Sequence, residues 1–230
     1  MNNRNWKKFG RLTEECYANM IGASSDWHCW IKAFDQFKES ILEERQTDPG
    51  FAPDIYTADD VTDFEYDIQG WLEDCLDTVD MKKEYGLLLK LCDDLIGLFD
   101  GEDDASSDVR FRKVSALVSL GRNDEAAQYC RKWIMKEPEN IAAAVAGVYA
   151  LISTAEYDDA EKLILGFIPE GTECDEETFP MFAAALNFYN ATGDNKNAKK
   201  VDEALEEYDR QLGDWINDTD SADDDDDFFF

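Results

Sequence analysis

The feature that most constrains this chain is the spacing of its apolar residues. They recur at steps of three and four and almost never alternate. Leu87, Leu88, Leu91, Cys92, Leu95, Ile96 and Phe99 form one such stripe, and Trp27, Trp30, Ile31, Phe34, Phe37 and Ile41 form another. That period places one apolar face along a helix, whereas a strand needs a period of two. β-branched runs are nearly absent. The five prolines (Pro49, Pro53, Pro138, Pro169 and Pro180) fall at breaks between the helical patterns or at helix starts, where a missing N–H does least harm. The predicted class is all-α, with roughly nine to ten helices.

The helices come in a repeating order. Leu120–Pro138 reads as a turn at Gly121, a helix packed through Ala126, Ala127, Cys130 and Trp133, and a proline stop. Thirty-four residues on, Leu117 becomes Leu151, Asp124 becomes Asp158 and Ala126 becomes Ala160. A third copy has Tyr189, Gly193 and Ala198, and the loop around Gly171–Asp175 carries a small insertion. A small residue early in a helix allows close approach of an antiparallel partner. A glycine after a helix supplies the left-handed conformation that ends it.

These residues resemble the tetratricopeptide repeat, which has a 34-residue period, a turn glycine, a small alanine early in the second helix and a proline after it. The likeness covers residues 108–208. The repeats are divergent. Arg110 and Ala144 stand where the family's first-helix tryptophan belongs, and Val148 and Leu186 where a small residue is usual. The resemblance implies a right-handed α-solenoid of antiparallel helix pairs over residues 55–213, with N-terminal helices in residues 1–46 packing on it. It also implies a concave groove lined by the first helix of each pair. Phe111, Ser115 and Val118 would project from the first, Val145, Tyr149 and Ile152 from the second, and Ala183, Asn187 and Asn190 from the third. That surface suits an amphipathic helix or an extended peptide, unless another helix of the same chain fills it. Family members that grip a chaperone's C-terminal carboxylate use groove lysines, which are missing here.

Upstream, residues 3–20 read as a helix, Ser25–Arg45 as a helix with Ser25 as its cap, and Asp59–Val79 with Lys82–Phe99 as a pair. Gln46–Thr57 reads as the longest internal loop and Asp100–Asp108 as an acidic linker.

Charge narrows the partners. The chain has 53 acidic and 22 basic side chains, a formal net charge of −31. Such a chain repels nucleic-acid phosphates and anionic membranes and attracts basic protein surfaces. Residues 47–108 hold three basic and 19 acidic groups, and residues 109–153 hold seven basic and four acidic. The basic band around Arg110, Arg112, Lys113, Arg131 and Lys132 reads either as ordinary solvated surface or as an attractor for an acidic segment, including this chain's own tail. That tail, residues 214–230, ends in five aspartates and Phe228, Phe229 and Phe230. Repulsion among the carboxylates predicts disorder. The acidic run closing on phenylalanine is similar to the tails of bacterial single-strand-binding proteins, which implies a docking peptide; the other reading is a self-docked or incidental terminus.

Chemistry is sparse. His28 is the only histidine, and no nucleophile elbow, phosphate-binding glycine loop or zinc spacing occurs. The six cysteines form no Cys-x-x-Cys pair and fall mostly in apolar stripes, which predicts reduced, buried thiols. With no signal peptide and no apolar run of membrane-spanning length, the expectation is a cytoplasmic protein. The expected function is a non-catalytic, cofactor-free adaptor that binds a protein or peptide partner with a basic surface. The alternative is an acidic mimic of DNA that inhibits a nucleic-acid-binding protein.

Overall fold

The computed structural model describes residues 3–99 and 104–222. Eleven helices and no strand occur among them: α1 Asn3–Met20, α2 Cys29–Glu44, α3 Ile55–Asp60, α4 Ile68–Met81, α5 Tyr85–Leu98, α6 Asp104–Ser119, α7 Asn123–Lys136, α8 Ile141–Ser153, α9 Tyr157–Phe167, α10 Phe179–Thr192 and α11 Asn195–Ala222. The all-α class is therefore observed. The chain divides into two compact units, residues 1–120 and 121–230.

The first unit is built on aromatic burial. Trp6, Phe9, Phe37 and Trp71 are at most 1% exposed. Phe9 meets Trp71 edge-on at 4.8 Å between ring centres, and Trp6 stacks on Tyr66 at 6.0 Å. Each such side chain contributes roughly 1.5–3 kcal/mol of transfer free energy. Gly10 on α1 lies under Tyr66, where a Cβ would come within 2.7 Å of the ring. The expected inward face of α5 is found: Leu88, Cys92 and Leu95 are all buried. Ion pairs tie the helix surfaces together. Lys38 of α2 pairs with Asp94 of α5, and Lys113 of α6 pairs with Asp93 at 2.6 Å.

Two expectations for this unit are corrected. The single helix expected over Asp59–Val79 is two helices, α3 and α4, separated by residues 61–67. Asp59 is the cause. Its buried carboxylate accepts the backbone amides of Ile68 at 2.5 Å and Gln69 at 2.8 Å, so it caps a new helix start. Asp63, Phe64 and Asp67 take left-handed conformations between the two helices, with φ of 53°, 55° and 45°. The second correction concerns α2, which begins at Cys29 after a turn and not at Ser25. α3 also enters the expected loop, because the Asp54 side chain accepts the Thr57 amide.

In the second unit α8 packs against α7, α9 and α10, and α10 packs against α8, α9 and α11. The alanines expected at the crossings, Ala126, Ala160 and Ala198, are buried. The turns repeat one device. Ala155 (φ 59°) and Gly193 (φ 76°) are left-handed. The residue after each donates back to the start of the last helical turn, Glu156 to the Leu151 carbonyl and Asp194 to the Tyr189 carbonyl, both at 2.9 Å. Gly121 (φ 71°) sits at the matching place before α7. In the first unit Lys83 (φ 59°) ends α4 the same way, with Glu84 donating to Val79.

α11 continues to Ala222, so the helix runs through the first part of the segment expected to be disordered from residue 214. Residues 223–230 lie outside the described residues, and Phe228, Phe229 and Phe230 with them.

Candidate functional site

The second unit carries an open cleft of about 450 Å³ between α9, α10 and α11. Its position follows from the length of the loop between α9 and α10. The turn residues Ala155 and Gly193 are 38 residues apart rather than 34, and the added length lies in the 168–178 loop between α9 and α10. That loop is held at its far end by a reciprocal cap. The Thr178 amide donates to the Asp175 carboxylate at 2.8 Å, and the Asp175 amide donates to the Thr178 hydroxyl at 3.0 Å. The Thr178 hydroxyl also donates to the Asp175 carboxylate at 2.7 Å, and this bond, with that from the Thr178 amide, holds the carboxyl below its usual pKa. Pro180 then lies in the first turn of α10. At its near end the loop turns through Gly171 (φ 92°) and roofs one end of the cleft.

The cleft is apolar within and charged at the rim. Phe182 and Tyr189 of α10, Ile164 and Ile168 from the α9 side, and Val201 of α11 supply buried or nearly buried apolar surface. Leu165 also lines it and is 51% exposed. Glu161, Glu170 and Lys200 are the charged lining residues. Burial, then Glu161 and Asp194, push the Tyr189 phenol up from its ordinary pKa. The cleft shares Glu161 and Tyr189 with a second hollow of about 320 Å³, lined also by Tyr157, Phe188 and Gly193. Tyr157 and Phe188 lie 6.3 Å apart there.

The residues expected to line the groove are distributed over both units. Phe111, Ser115 and Val118 lie on α6 in the first unit: Ser115 is exposed, Phe111 and Val118 half-buried. In the second unit Tyr149 and Ile152 of α8 are half-buried, and Asn187 and Asn190 of α10 are exposed. Ala183, on the same helix, is half-buried. Val145 is 5% exposed and belongs to the core of its unit, so it offers little to a ligand. α8 and α10 are packed neighbours.

The cleft itself was not anticipated. Its signals were present: the 38-residue interval, and a leucine at 165 beside the buried stripe of α9.

The basic band is largely engaged locally. Arg112 pairs with Asp77 and with Asp108, Lys113 with Asp93 and Arg131 with Glu156. Arg110 is 4% exposed. This favours the reading of the band as part of the folded units over that of an attractor for the tail.

The thiols are not poised for nucleophilic work. Cys16, Cys29, Cys75, Cys92 and Cys130 are buried and Cys174 is half-buried; all six are free. Burial pushes Cys16, Cys92 and Cys130 up to about 12, which leaves almost no thiolate near neutral pH. His28 is exposed beside Asp26 at 3.2 Å. Among the described residues no group of three or more His, Cys, Asp or Glu is placed to hold a metal, and no helix is long and apolar enough to cross a membrane.

The chain matches no protein-family model, no curated protein and no solved structure.

Proposed function

We propose that this protein is a non-catalytic adaptor, a divergent tetratricopeptide-like α-solenoid that binds a helix or extended peptide of a partner protein. The observation that carries the reading is the cleft between α9, α10 and α11. Its apolar floor of Phe182, Tyr189 and Val201, its uncovered Leu165 and its volume of about 450 Å³ fit a pair of apolar side chains from a docked segment. The charged rim orients such a segment without demanding charge burial. The spacing of the left-handed turns at Gly121, Ala155 and Gly193 supports the repeat reading.

The test is a displayed library of short peptides panned against the full chain, followed by affinity measurements on Leu165→Glu and on Tyr149→Ala with Asn190→Ala. Loss of binding in Leu165→Glu alone assigns the peptide to the cleft. Loss only in the second pair assigns it to the α8–α10 surface instead. A library that yields no specific binder, with the chain folded by circular dichroism, would count against the adaptor reading.

A further inference from the structure

The first unit exposes two aromatic rings that touch each other. Tyr56 on α3 is 64% exposed and Phe64, in the loop after it, is 54% exposed. Their rings meet edge to face with centres 5.9 Å apart. Two residues beyond Phe64, Tyr66 turns inward and stacks on Trp6. The loop therefore lays one half-buried aromatic against the core and holds another in water.

It does so against local preference. Asp63 and Phe64 are consecutive left-handed residues, a backbone region that side chains bearing a Cβ seldom adopt and that bulky ones adopt least. The conformation is over-determined from beneath. The Phe64 amide donates to the Asp59 carbonyl at 2.9 Å. The buried Thr62 hydroxyl donates to the same carbonyl at 2.9 Å. The Asp59 carboxylate is committed to α4. Gly70 leaves room for the Asp67 carboxylate, which a Cβ there would approach within 2.7 Å. A rigid aromatic pair, fixed before any partner arrives, loses little entropy on binding.

Charge selects the occupant. From Asp54 to Asp67 the chain has six carboxylates and no basic residue. Asp60, Asp63 and Glu65, close to the two rings in the chain, are exposed. An aromatic face attracts a guanidinium, and surrounding carboxylates accept its N–H groups. An acidic segment would be repelled by the same carboxylates, and a purely apolar one would gain only the ring contacts. We propose that Tyr56 and Phe64 form a docking surface for an arginine-rich segment of another protein. The surface is separate from the cleft of the second unit, and it stands or falls independently of it.

The experiment titrates the full chain with a short peptide of alternating arginine and glycine at about 150 mM salt, where diffuse attraction between distant charges is screened. Phe64→Asn, which tolerates the left-handed backbone, and Tyr56→Ala are compared with Met81→Ala, a control at another exposed apolar position next to Asp80. Phe64→Asn and Tyr56→Ala are each expected to weaken binding roughly three- to tenfold, and Met81→Ala to leave it unchanged. The thermal midpoint of Phe64→Asn is expected to hold or rise, because the strained residue is relieved while no core contact is lost. Equal affinity across all four proteins would reduce the interaction to net charge and overturn the proposal. So would failure of the unaltered chain to bind the peptide at this salt concentration. Leu165→Glu in the second unit should bind the arginine peptide normally, which separates this surface from the cleft.

Discussion

Arg45 donates from Nη1 to the backbone carbonyl of Leu98 at 2.9 Å, joining the end of α2 to the end of α5 across 53 residues of chain. The same guanidinium donates to the carbonyls of Phe51 and Ala52 and lies 5.4 Å from the centre of the Phe99 ring. One planar side chain thus fastens the 46–54 loop and satisfies a helix end that has run out of partners. Arg45→Met should destabilise the protein by about 2–3 kcal/mol, because partly buried carbonyls are left without donors. Arg45→Lys should recover little of this, since a single ammonium cannot reach three carbonyls in a fork. Urea denaturation of the two variants checks both statements.

The left-handed turn residues give a second prediction. Ala155 adopts φ 59° where the matching position after α10 is Gly193. Ala155→Gly should stabilise the chain by about 0.5–1 kcal/mol, and Gly193→Ala should destabilise it by about 1 kcal/mol. Nothing lies within 4 Å of a Cβ built on Gly193, so the effect is one of backbone conformation, not of crowding. Opposite shifts in denaturation midpoint are expected. Shifts of the same sign would show that the turns are not equivalent.

Gly147 of α8 lies beneath its neighbours in the second unit. A Cβ there would stand 2.8 Å from Ile134 Cδ1 on α7 and 3.1 Å from Leu163 Cδ1 on α9. Both atoms are the ends of flexible side chains, and alanine gains about 1 kcal/mol of helix propensity over glycine. Gly147→Ala should therefore be near neutral. Gly147→Leu should cost about 2–3 kcal/mol or more, because neither neighbour can retreat far in a packed interior. Calorimetric midpoints of the two variants provide the measurement.

The buried thiols set an alkaline limit. Cys92 and Cys130 are raised from 9.0 to about 12 by burial, and Cys75 is raised as well. A raised folded-state pKa means that the folded chain holds its protons longer than the unfolded chain. The stability is fully present below pH 9.0 and is lost as pH rises from there through about 12. Urea midpoints should hold up to about pH 9 and then fall progressively. Cys92→Ala should lower stability at neutral pH through the lost packing and flatten the alkaline decline.

Much of the helical organisation was legible because it is written locally. The stripe from Leu87 to Phe99 and the alanines at 126, 160 and 198 declare which side of a helix is covered, and the structure buries Leu88, Leu91, Cys92, Leu95, Phe99 and the three alanines. The break at residues 61–67 was not legible. The apolar pattern runs on through Val61 and Phe64, and only the folded chain places the Asp59 carboxylate under the amides of Ile68 and Gln69. Val145, expected to project into the groove, is 5% exposed for a related reason. Helical register names the face of a helix, but α8 is covered by α7, α9 and α10 together, so little of it stays free.

By itself the sequence determined the class, the helix faces, the buried thiols and the interval at which turns recur, since each depends on residues a few positions apart. Tertiary structure alone decided where a longer interval opens a cleft and which aromatics face water. It also decided that Arg112 and Lys113 meet carboxylates of other helices and that Arg131 meets Glu156 at the start of α9. Those outcomes depend on contacts between residues distant in the chain, and a period of three and four says which side of a helix packs without saying what it packs against.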